Sequence, residues 1–535
     1  MDKMPEVKRF DNGGSIWKNT FSNFEATVYT PEAKKELLSD TINYGFIAPY
    51  LLVFPERHLT FEEARDFSDK MGFSRLAGDF ATSVVFISPL CKDWADAPSD
   101  IFSNIISNSK IGQYYKDGCL RFWNFFTRKD EGYYIRGAIF RTCLFAFGKS
   151  ADYLARNCLK HFEGDGLWGK SDLAPVTCFL SGLSTKPVIQ ADDIPVLSYN
   201  NSKECDDIFE AACKYFEKKS FSMENYAEVI YRDYYSFAKK FRRMTGPLTL
   251  DEDLEKDGLK IEAGIETVKT SVDNQGDDRG SSEHKIGYVA FYNKDLKGPL
   301  PLVLGFHGGG DSSFFLSIMA GWAKIAHRHN FLFVAIENHI NSTASEMLEF
   351  TEKLKKKYQI DSSRIYATGF SMGGIKTWDI IQEVPQLIAA AAPMDATVDV
   401  GQNVYFTQSP CSPNRTKAVP VFYAGGEISP LLELPYQDQR CINRMKYALE
   451  LNGAQKEYKV SLDNKDNWEN KLWGISGDIT EKKIDASRNA TLTMEKFKNK
   501  EGKILNVFAS ISGQGHDCRE HTCEQAWLFM SGFSK

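Results

Sequence analysis

One serine of the chain lies in a pattern typical of an activated nucleophile. The segment reads Gly369-Phe370-Ser371-Met372-Gly373, and it follows an apolar stretch that predicts a strand. A serine on a sharp turn between a strand and a helix has strained backbone angles, so the residues two positions away must be small. Such a turn exposes the hydroxyl group above the sheet, and the helix N-terminus favours negative charge there. The pattern predicts that Ser371 is a nucleophile.

A glycine-rich loop could supply the groups that bind an oxyanion. His307-Gly308-Gly309-Gly310 follows an apolar strand pattern, and glycines let backbone N–H groups approach a reacting centre without a Cβ atom in the way. An oxyanion hole needs two donors, one from such a loop and one from the residue after the nucleophile. We therefore expect Gly309 or Gly310 to act with Met372, and we expect the His307 side chain to be structural.

A serine hydroxyl needs an imidazole that takes its proton, and the order along the chain restricts the choice. In hydrolases of this type the histidine comes last, after the acid. Only His516 and His521 follow the serine. His516 lies in Gly513-Gln514-Gly515-His516-Asp517 after a predicted strand, whereas His521 is expected on the closing helix. His516 is the predicted base.

The acid that orients the imidazole should follow the predicted strand Val419–Ala424. Glu427 comes first after this strand and is the preferred candidate. Glu433 is the alternative acid, and Asp438 is a third option. Each of the three could instead be a solvated loop carboxylate.

Composition limits the class of protein that could carry these residues. The chain has 535 residues with 42% hydrophobic and 25% charged residues, which excludes a mainly disordered chain. A net charge of −6 gives no reason to expect a nucleic-acid partner. No apolar run reaches the length that a membrane-spanning helix needs, and the first residues do not resemble a signal peptide. We expect a soluble, cytoplasmic protein with no membrane partner.

Cysteine usage gives no sign of a metal site. The 11 cysteines form no C-x-x-C pair and no Cys/His cluster at zinc spacing. Cys518 and Cys523 are close enough in sequence to pair, but buried free thiols in a reducing compartment are the expected state. We predict neither a metal nor an organic cofactor.

Strand and helix patterns alternate in the second half of the chain, which predicts a parallel sheet flanked by helices. A long insert, about residues 463–501, separates the candidate acid from His516 and is a candidate cover for the site. The predicted strands are Leu302–Phe306, Phe331–Ile336, Arg364–Thr368, Leu387–Ala392 and Val419–Ala424.

The first half repeats this order, which indicates a duplication. Residues 202–243 predict a helical stretch, and Gly246-Pro247 with the acidic residues after it marks the boundary. We therefore predict an α/β fold with two tandem domains, residues 1–245 and 246–535, each a mainly parallel sheet flanked by helices. The predicted strands of the first half are Tyr50–Phe54, Ser83–Ile87, Arg141–Phe147, Pro175–Leu180 and Ile194–Leu197.

The first half lacks the residues that the chemistry needs. Ser150 is expected at the nucleophile's place, but Asp152 stands where a small residue belongs. The segment in place of the glycine loop, Pro55-Glu56-Arg57-His58, has no glycine. No histidine occurs between His161 and His284, where the base should lie. We interpret this half as a degenerate, non-catalytic copy.

The second half resembles an α/β-hydrolase of the polyhydroxybutyrate-depolymerase and feruloyl-esterase-like branch. The residues that carry the resemblance are the glycine loop 307–312, the segment Ile360–Gly374 with its serine turn, and Ala389–Pro393. The resemblance covers about residues 257–535 and implies a carboxylic-ester hydrolase that uses Ser371 and His516 and no cofactor. The aspartate usual in this branch falls near Ser429 here, so the acid stays open. Members are often exported, whereas this chain shows no signal sequence.

We expect a serine hydrolase that cleaves a small-molecule or polymer ester through an acyl-enzyme. One alternative is a peptidase of the prolyl-oligopeptidase kind, which normally carries a propeller domain that the first half does not resemble. Another is a binding protein that has kept the fold without activity. A homodimer is a possible assembly.

Overall fold

The computed structural model describes the whole chain except residues 1–6, 12–13, 33–46, 109–112, 117–118, 125–128, 134–136, 167–168, 221–225, 244–245, 270–281, 297, 310, 338, 340–341, 404–410, 432 and 487. It forms two compact units, Met1–Asp253 and Leu254–Lys535. No helix in the described part of the chain is long and apolar enough to cross a membrane.

The first unit is built on a nine-stranded sheet. Its strand order is β1-β2-β3-β5-β4-β9-β12-β13-β14, and the last six strands in this order are parallel. Strands β6 to β8, β10 with β11, and β15 with β16 form three small separate sheets. The strands of the unit are β1 Val7–Arg9, β2 Ser15–Thr20, β3 Phe24–Thr30, β4 Pro49–Phe54, β5 Val84–Pro89, β6 Gln113–Lys116, β7 Cys119–Asn124, β8 Lys129–Tyr133, β9 Ala138–Phe147, β10 Phe162–Gly166, β11 Gly169–Leu173, β12 Thr177–Ser181, β13 Val196–Tyr199, β14 Phe216–Lys219, β15 Phe241–Arg242 and β16 Thr249–Leu250. The helices are α1 Phe61–Lys70, α2 Phe73–Asp79, α3 Ile101–Asn108, α4 Lys149–Asn157, α5 Lys203–Ala212 and α6 Tyr226–Ser236.

Both faces of this sheet are buried, which explains why its central strands are apolar throughout. In β4, Leu52 and Phe54 belong to one hydrophobic cluster, whereas Leu51 and Val53 belong to another. Successive side chains of a strand point to opposite faces, so the two clusters lie on the two sides of the sheet.

The second unit is built on a ten-stranded sheet with the order β17-β18-β20-β19-β21-β22-β23-β26-β25-β24. The six strands from β20 to β26 in this order are parallel. The strands are β17 Leu259–Lys269, β18 Glu283–Asn293, β19 Leu300–Phe306, β20 Leu332–Ile336, β21 Ile360–Phe370, β22 Ala390–Met394, β23 Val421–Gly426, β24 Ile479–Asp485, β25 Ala490–Lys498 and β26 Ile504–Ile511. The helices are α7 Ser313–Ile318, α8 Trp322–His329, α9 Glu346–Lys357, α10 Met372–Glu383, α11 Gln439–Leu451 and α12 Glu520–Met530.

The parallel strands follow the same spatial order in the two units. When the six parallel strands of each unit are numbered by their order along the chain, their order across the sheet is 2-1-3-4-5-6 in both units. In both units an antiparallel strand flanks this set on the side of strand 2. It is β3 beside β5 in the first unit and β18 beside β20 in the second. The predicted alternation of strands and helices is confirmed.

One prediction about a connecting segment needs correction. Residues 202–243 do not form one helical stretch, because Phe216–Lys219 pairs with β13 as the parallel edge strand β14, and this pairing overrides local helix preference. The insert 463–501, which stays a candidate cover for the site, adds two strands to the sheet. Its strands β24 and β25 form a hairpin that pairs with β26.

Candidate functional site

Ser371 lies between β21 and α10 in a strained conformation. Its backbone angles are φ 55° and ψ −118°, a region that residues with a side chain rarely adopt. The Ser371 amide donates to the carbonyl oxygen of Met394, 3.0 Å away at the end of the neighbouring strand. The turn therefore has the geometry that the sequence pattern predicts.

Close packing explains the glycines around this serine. A Cβ atom on Gly373 would lie 1.9 Å from the carbonyl oxygen of Phe306, at the end of β19. A Cβ atom on Gly369 would lie 2.1 Å from the carbonyl oxygen of Gly373. The helix approaches the two strands so closely that no larger residue fits without a backbone shift.

The glycine loop contacts the residue that follows the serine. A Cβ atom on Gly309 would lie 2.4 Å from Met372 Sδ, so the loop and the helix start are adjacent. As the first residue of α10, Met372 has an amide without an intrahelical partner. The third candidate donor, Gly310, lies outside the described residues.

The His307 side chain holds the loop in place. Its two ring nitrogens lie 2.7 Å from the carbonyl oxygen of Gly308 and 2.8 Å from that of Glu337. With both nitrogens beside backbone carbonyls, this imidazole has no free position for proton transfer. The contacts are those of a structural residue.

His516 lies in the loop after β26, and its ring packs on Phe370, the residue before the serine. The two ring centroids are 4.7 Å apart. His516 Nδ1 hydrogen-bonds Glu433 Oε1, and the two side chains are only 2% and 1% exposed. Ser429 Oγ donates to the same carboxylate oxygen over 2.6 Å. The structure thus joins the predicted base to the alternative acid.

Glu427, the preferred acid in the sequence, lies in a different environment. Its carboxylate accepts a hydrogen bond from Ser510 Oγ at 2.9 Å, and its amide donates to Ile511. A Cβ atom on Gly426 would lie only 2.2 Å from the carbonyl oxygen of Gly515, so the end of β23 presses against the histidine loop. The carboxylate that contacts the imidazole comes from six residues further along the loop, at Glu433. Asp438 instead caps α11 by accepting from the Arg440 amide.

Sequence reasoning missed a further carboxyl group near Glu433. Asp395 directly follows β22, is 2% exposed and has a φ of 52°. The Gly426 amide donates to Asp395 Oδ1 over 3.1 Å. Burial and the neighbouring Glu433 raise the pKa of Asp395 well above its usual range. Its one signal in the sequence was its position, three residues after the predicted strand Leu387–Ala392.

Two more carboxyl groups border the histidine. Burial raises the pKa of Asp311, near the end of the glycine loop, to about 6, and nearby His307 and His516 oppose the shift. Burial also raises the pKa of Asp517 to about 6, although Arg488 opposes it. Arg488 lies in the turn of the β24–β25 hairpin, with its Nη1 3.8 Å from Asp517 Oδ2. The insert therefore reaches the edge of the site at its tip.

In the first unit, the residue at the matching turn is Gly148 and not Ser150. Gly148 lies between β9 and α4 with φ 57° and ψ −124°, nearly the angles of Ser371. Ser150 is buried two residues later, and its hydroxyl donates to the carbonyl oxygen of Phe54 at the end of β4. The sequence comparison was offset by two residues because the first unit has no serine at the turn.

A carboxylate fills the space above the first unit's turn. A Cβ atom on Gly148 would lie 2.7 Å from Glu56 Oε1. Asp152, which the sequence placed near this turn, accepts hydrogen bonds from Ser184 and Thr185. These contacts leave no reactive group at the position that Ser371 occupies in the second unit.

No group of three or more His, Cys, Asp or Glu side chains is arranged to hold a metal ion within the described residues. Several buried polar groups of the site are paired with one another, as His516 and Ser429 are with Glu433 Oε1. Serine, imidazole and carboxylate side chains in one place are groups that acid–base and nucleophilic chemistry can use.

Part of the second unit is similar in sequence to known hydrolases. A family model described as the prolyl oligopeptidase family matches residues 329–422, which include the serine turn. The curated bifunctional acetylxylan esterase/xylanase XynS20E of Neocallimastix patriciarum is 22% identical over 246 residues, or 43% of this chain and 31% of the relative. The chain thus spans less than a third of that relative's length.

Solved structures give more distant likenesses. An acetyl xylan esterase from Aspergillus awamori has a TM-score of 0.33 and 14% identity, covering 50% of this chain and 99% of the esterase. The S-formylglutathione hydrolase FrmB from Staphylococcus aureus has a TM-score of 0.30 and 12% identity, covering 51% of this chain and 97% of the hydrolase. The family match and the curated relative support a hydrolase of the α/β-hydrolase superfamily.

Proposed function

We propose that the second unit, in the part predicted as residues 246–535, is a serine hydrolase that cleaves carboxylic esters. Ser371 Oγ attacks the ester carbonyl carbon while His516 takes its proton. Glu433 orients the imidazole and stabilises its charged form. Backbone amides of the glycine loop, at Gly309 or Gly310, and of Met372 hold the oxyanion. His516 then protonates the leaving alcohol, and water hydrolyses the acyl-enzyme with His516 again as base.

The observation that carries this proposal is the buried hydrogen bond between His516 and Glu433 beside the strained serine turn. An imidazole bonded at Nδ1 to a carboxylate directs Nε2 as the proton acceptor. Without such a group a serine hydroxyl is a weak nucleophile. The assembly of the three elements at one edge of the sheet favours this chemistry over a binding role.

We propose that the first unit is a non-catalytic hydrolase-like domain produced by duplication. The shared order of the six parallel strands supports a common origin. Gly148 and the Glu56 carboxylate support the loss of activity, since the turn carries no nucleophile and the Glu56 side chain lies where one would be.

The substrate class follows from the relative and from the resemblance in the sequence. The relative is an acetylxylan esterase/xylanase, and the sequence resembles the polyhydroxybutyrate-depolymerase and feruloyl-esterase-like branch. We therefore propose acetyl and feruloyl esters, on sugars or on polymers, as the first substrates to test. Short-chain p-nitrophenyl esters are suitable reporters.

A peptidase is the second candidate, and the match to the prolyl oligopeptidase family favours it. That match covers the strand, turn and helix around the serine, which an esterase and a peptidase would share. The first unit is a mixed sheet, whereas such peptidases normally carry a propeller. A fluorogenic prolyl-peptide amide in the same assay distinguishes the two activities.

The test compares Ser371→Ala with Ser150→Ala. We expect p-nitrophenyl acetate hydrolysis to fall by about three orders of magnitude or more in S371A, since the nucleophile is lost. S150A should keep wild-type turnover, because Ser150 bonds only to its own unit's backbone in the described contacts. A fluorophosphonate probe should label wild type and S150A but not S371A. No hydrolysis of esters or peptide amides and no labelling of wild type would overturn the proposal.

A second pair of variants in the same assay identifies the acid. Glu433→Gln should lower kcat by about 10²- to 10⁴-fold, because an amide stabilises neither the tautomer nor the charge of the imidazole. Glu427→Gln should lower it only a few-fold, since it bonds to Ser510. A larger loss in E427Q than in E433Q would contradict the assignment of Glu433.

A further inference from the structure

Among the described residues, one carboxylate oxygen of Glu433 has no assigned donor. Its Oε1 accepts from Ser429 and from His516, as described above. Its Oε2 is buried, and no donor is assigned to it among the described residues. A buried carboxylate oxygen without a hydrogen bond is costly, so a proton on a neighbouring group is expected there.

We propose that Asp395 is a positioning residue that keeps a proton on its carboxyl group and donates it in a hydrogen bond to Glu433. This role rests on the proposed function, in which Glu433 orients His516. The resulting chain runs from Asp395 through Glu433 and His516 to Ser371. Asp395 touches neither substrate nor nucleophile and acts only through Glu433.

Backbone conformation and hydrogen bonds hold the Asp395 carboxyl group beside β23. The residue directly follows β22 in the left-handed region, with φ 52°, and its amide donates to the carbonyl oxygen of Ala424 at 2.8 Å. The Gly426 amide fixes Oδ1 at 3.1 Å. One contact to β23 therefore holds the carboxyl group and a second holds the backbone of the residue, and the carboxyl group lies close enough to Glu433 for the two to interact.

The surroundings favour a neutral Asp395. The titratable groups that face it are Glu433, in the loop after β23, and Asp517 and Cys518, in the loop after β26. Tyr423 of β23 lies beside them. None of these groups is a cation that would stabilise a second negative charge. Burial and the proximity of Glu433 raise the pKa of Asp395, in agreement with the geometry.

A shared proton would keep Glu433 as the charged partner of His516. Two carboxyl groups in contact cannot both ionise without strong repulsion, so one of them holds a proton. If the proton lies on Asp395, Glu433 stays anionic and faces the imidazolium that forms during attack. Loss of the proton at alkaline pH would push the two side chains apart and disturb the imidazole.

Two variants separate this role from backbone strain. Asp395→Asn keeps a donor, and asparagine tolerates the left-handed region. Asp395→Gly suits the same backbone but removes the donor. We expect kcat for p-nitrophenyl acetate to fall about tenfold or more in D395G, with KM within about twofold, whereas D395N stays within about threefold of wild type. D395N should also lose any alkaline decline in kcat that wild type shows.

The outcomes are distinct. Wild-type kcat in D395G, or an equal loss in D395N and D395G at unchanged Tm, overturns the role of Asp395. If D395G fails to fold, D395N decides, since wild-type turnover supports the role and a large loss at unchanged Tm contradicts it. Absence of both ester hydrolysis and fluorophosphonate labelling in wild type overturns the proposed function, and this role with it.

Discussion

The turn at Ser371 in the second unit and the turn at Gly148 in the first have nearly the same backbone but opposite chemical content. The φ and ψ angles are 55° and −118° at Ser371 and 57° and −124° at Gly148. Both residues follow the third parallel strand of their sheet and precede a helix. The turn at Ser371 presents a hydroxyl group. The turn at Gly148 presents no side chain, and the Glu56 carboxylate lies over it. A strained turn at this place is thus a property of strand-to-helix packing, and it does not by itself indicate catalysis.

The packing two residues after each turn differs as well. In the second unit Gly373 lies against the carbonyl of Phe306, at a distance that excludes a Cβ atom. In the first unit the matching residue is Ser150, whose hydroxyl bonds the carbonyl of Phe54. The helix of the second unit is therefore packed more tightly against its strand. This tight contact holds the turn and the glycine loop, which starts at the next residue, close together.

The largest effect is expected from placing the first unit's residue in the second. Gly373→Ser should lower the free energy of unfolding by about 2 kcal/mol or more and reduce ester hydrolysis strongly, because the new side chain meets backbone atoms that cannot move aside cheaply. The reverse change, Ser150→Gly, should cost only about 1 kcal/mol, for the loss of its hydroxyl hydrogen bonds, and leave turnover unchanged. Urea unfolding and p-nitrophenyl acetate turnover measure both. Wild-type stability and rate in G373S would show that the packing difference is unimportant.

A smaller effect is expected when the nucleophile is placed in the first unit. Gly148→Ser, made together with Ser371→Ala, should restore no hydrolysis, because Glu56 occupies the space and no imidazole is predicted there. Stability should fall by about 1–3 kcal/mol, since a side chain is strained at φ 57°. Gly148→Ala with the same second change is the matched control and should lose similar stability. Fluorophosphonate labelling of the new serine would show that the first unit retains activating groups.

The smallest effect concerns pH and a cluster found in the first unit. His161 lies 2.8 Å from Asp172 and from Asp193, and Arg243 bonds the second aspartate. Burial lowers the pKa of His161, but the hydrogen bonds to Asp193 and Asp172 raise it by more, so its pKa is raised overall. Protonated His161 thus stabilises the folded unit below its unfolded pKa of about 6.5, and this contribution is lost as the pH rises through the folded value.

The measurement follows Tm between pH 6 and pH 9, at about half-unit steps through the range in which His161 titrates. The difference between wild type and His161→Gln should be largest at the acid end and shrink as the pH rises. His58→Gln, at a half-exposed side chain, serves as the control and should show a small difference throughout. A difference for H161Q that grows with pH would contradict the predicted direction.

Patterns within a few residues were enough to predict much of this protein. The glycines around Ser371 predict a tight turn, because only close packing requires small residues at those two positions. Apolar runs separated by helical patterns predict the alternating elements, and the order of Ser371 and His516 along the chain limits the choice of base. These inferences depend on local sterics and periodicity, which the types of neighbouring residues determine.

Other features depend on where separate loops meet in space. Spacing along the chain ranked Glu427 before Glu433, but the path of the loop after β23 brings Glu433 to His516 and turns Glu427 to Ser510. Asp395 is remote in sequence from both, and only the adjacency of β22 and β23 brings it near them. The match of Gly148 to Ser371 was equally hidden, because glycine adopts the turn's backbone without leaving a side chain to recognise. Distances across a fold are set by packing among many residues, which no short segment of the chain encodes.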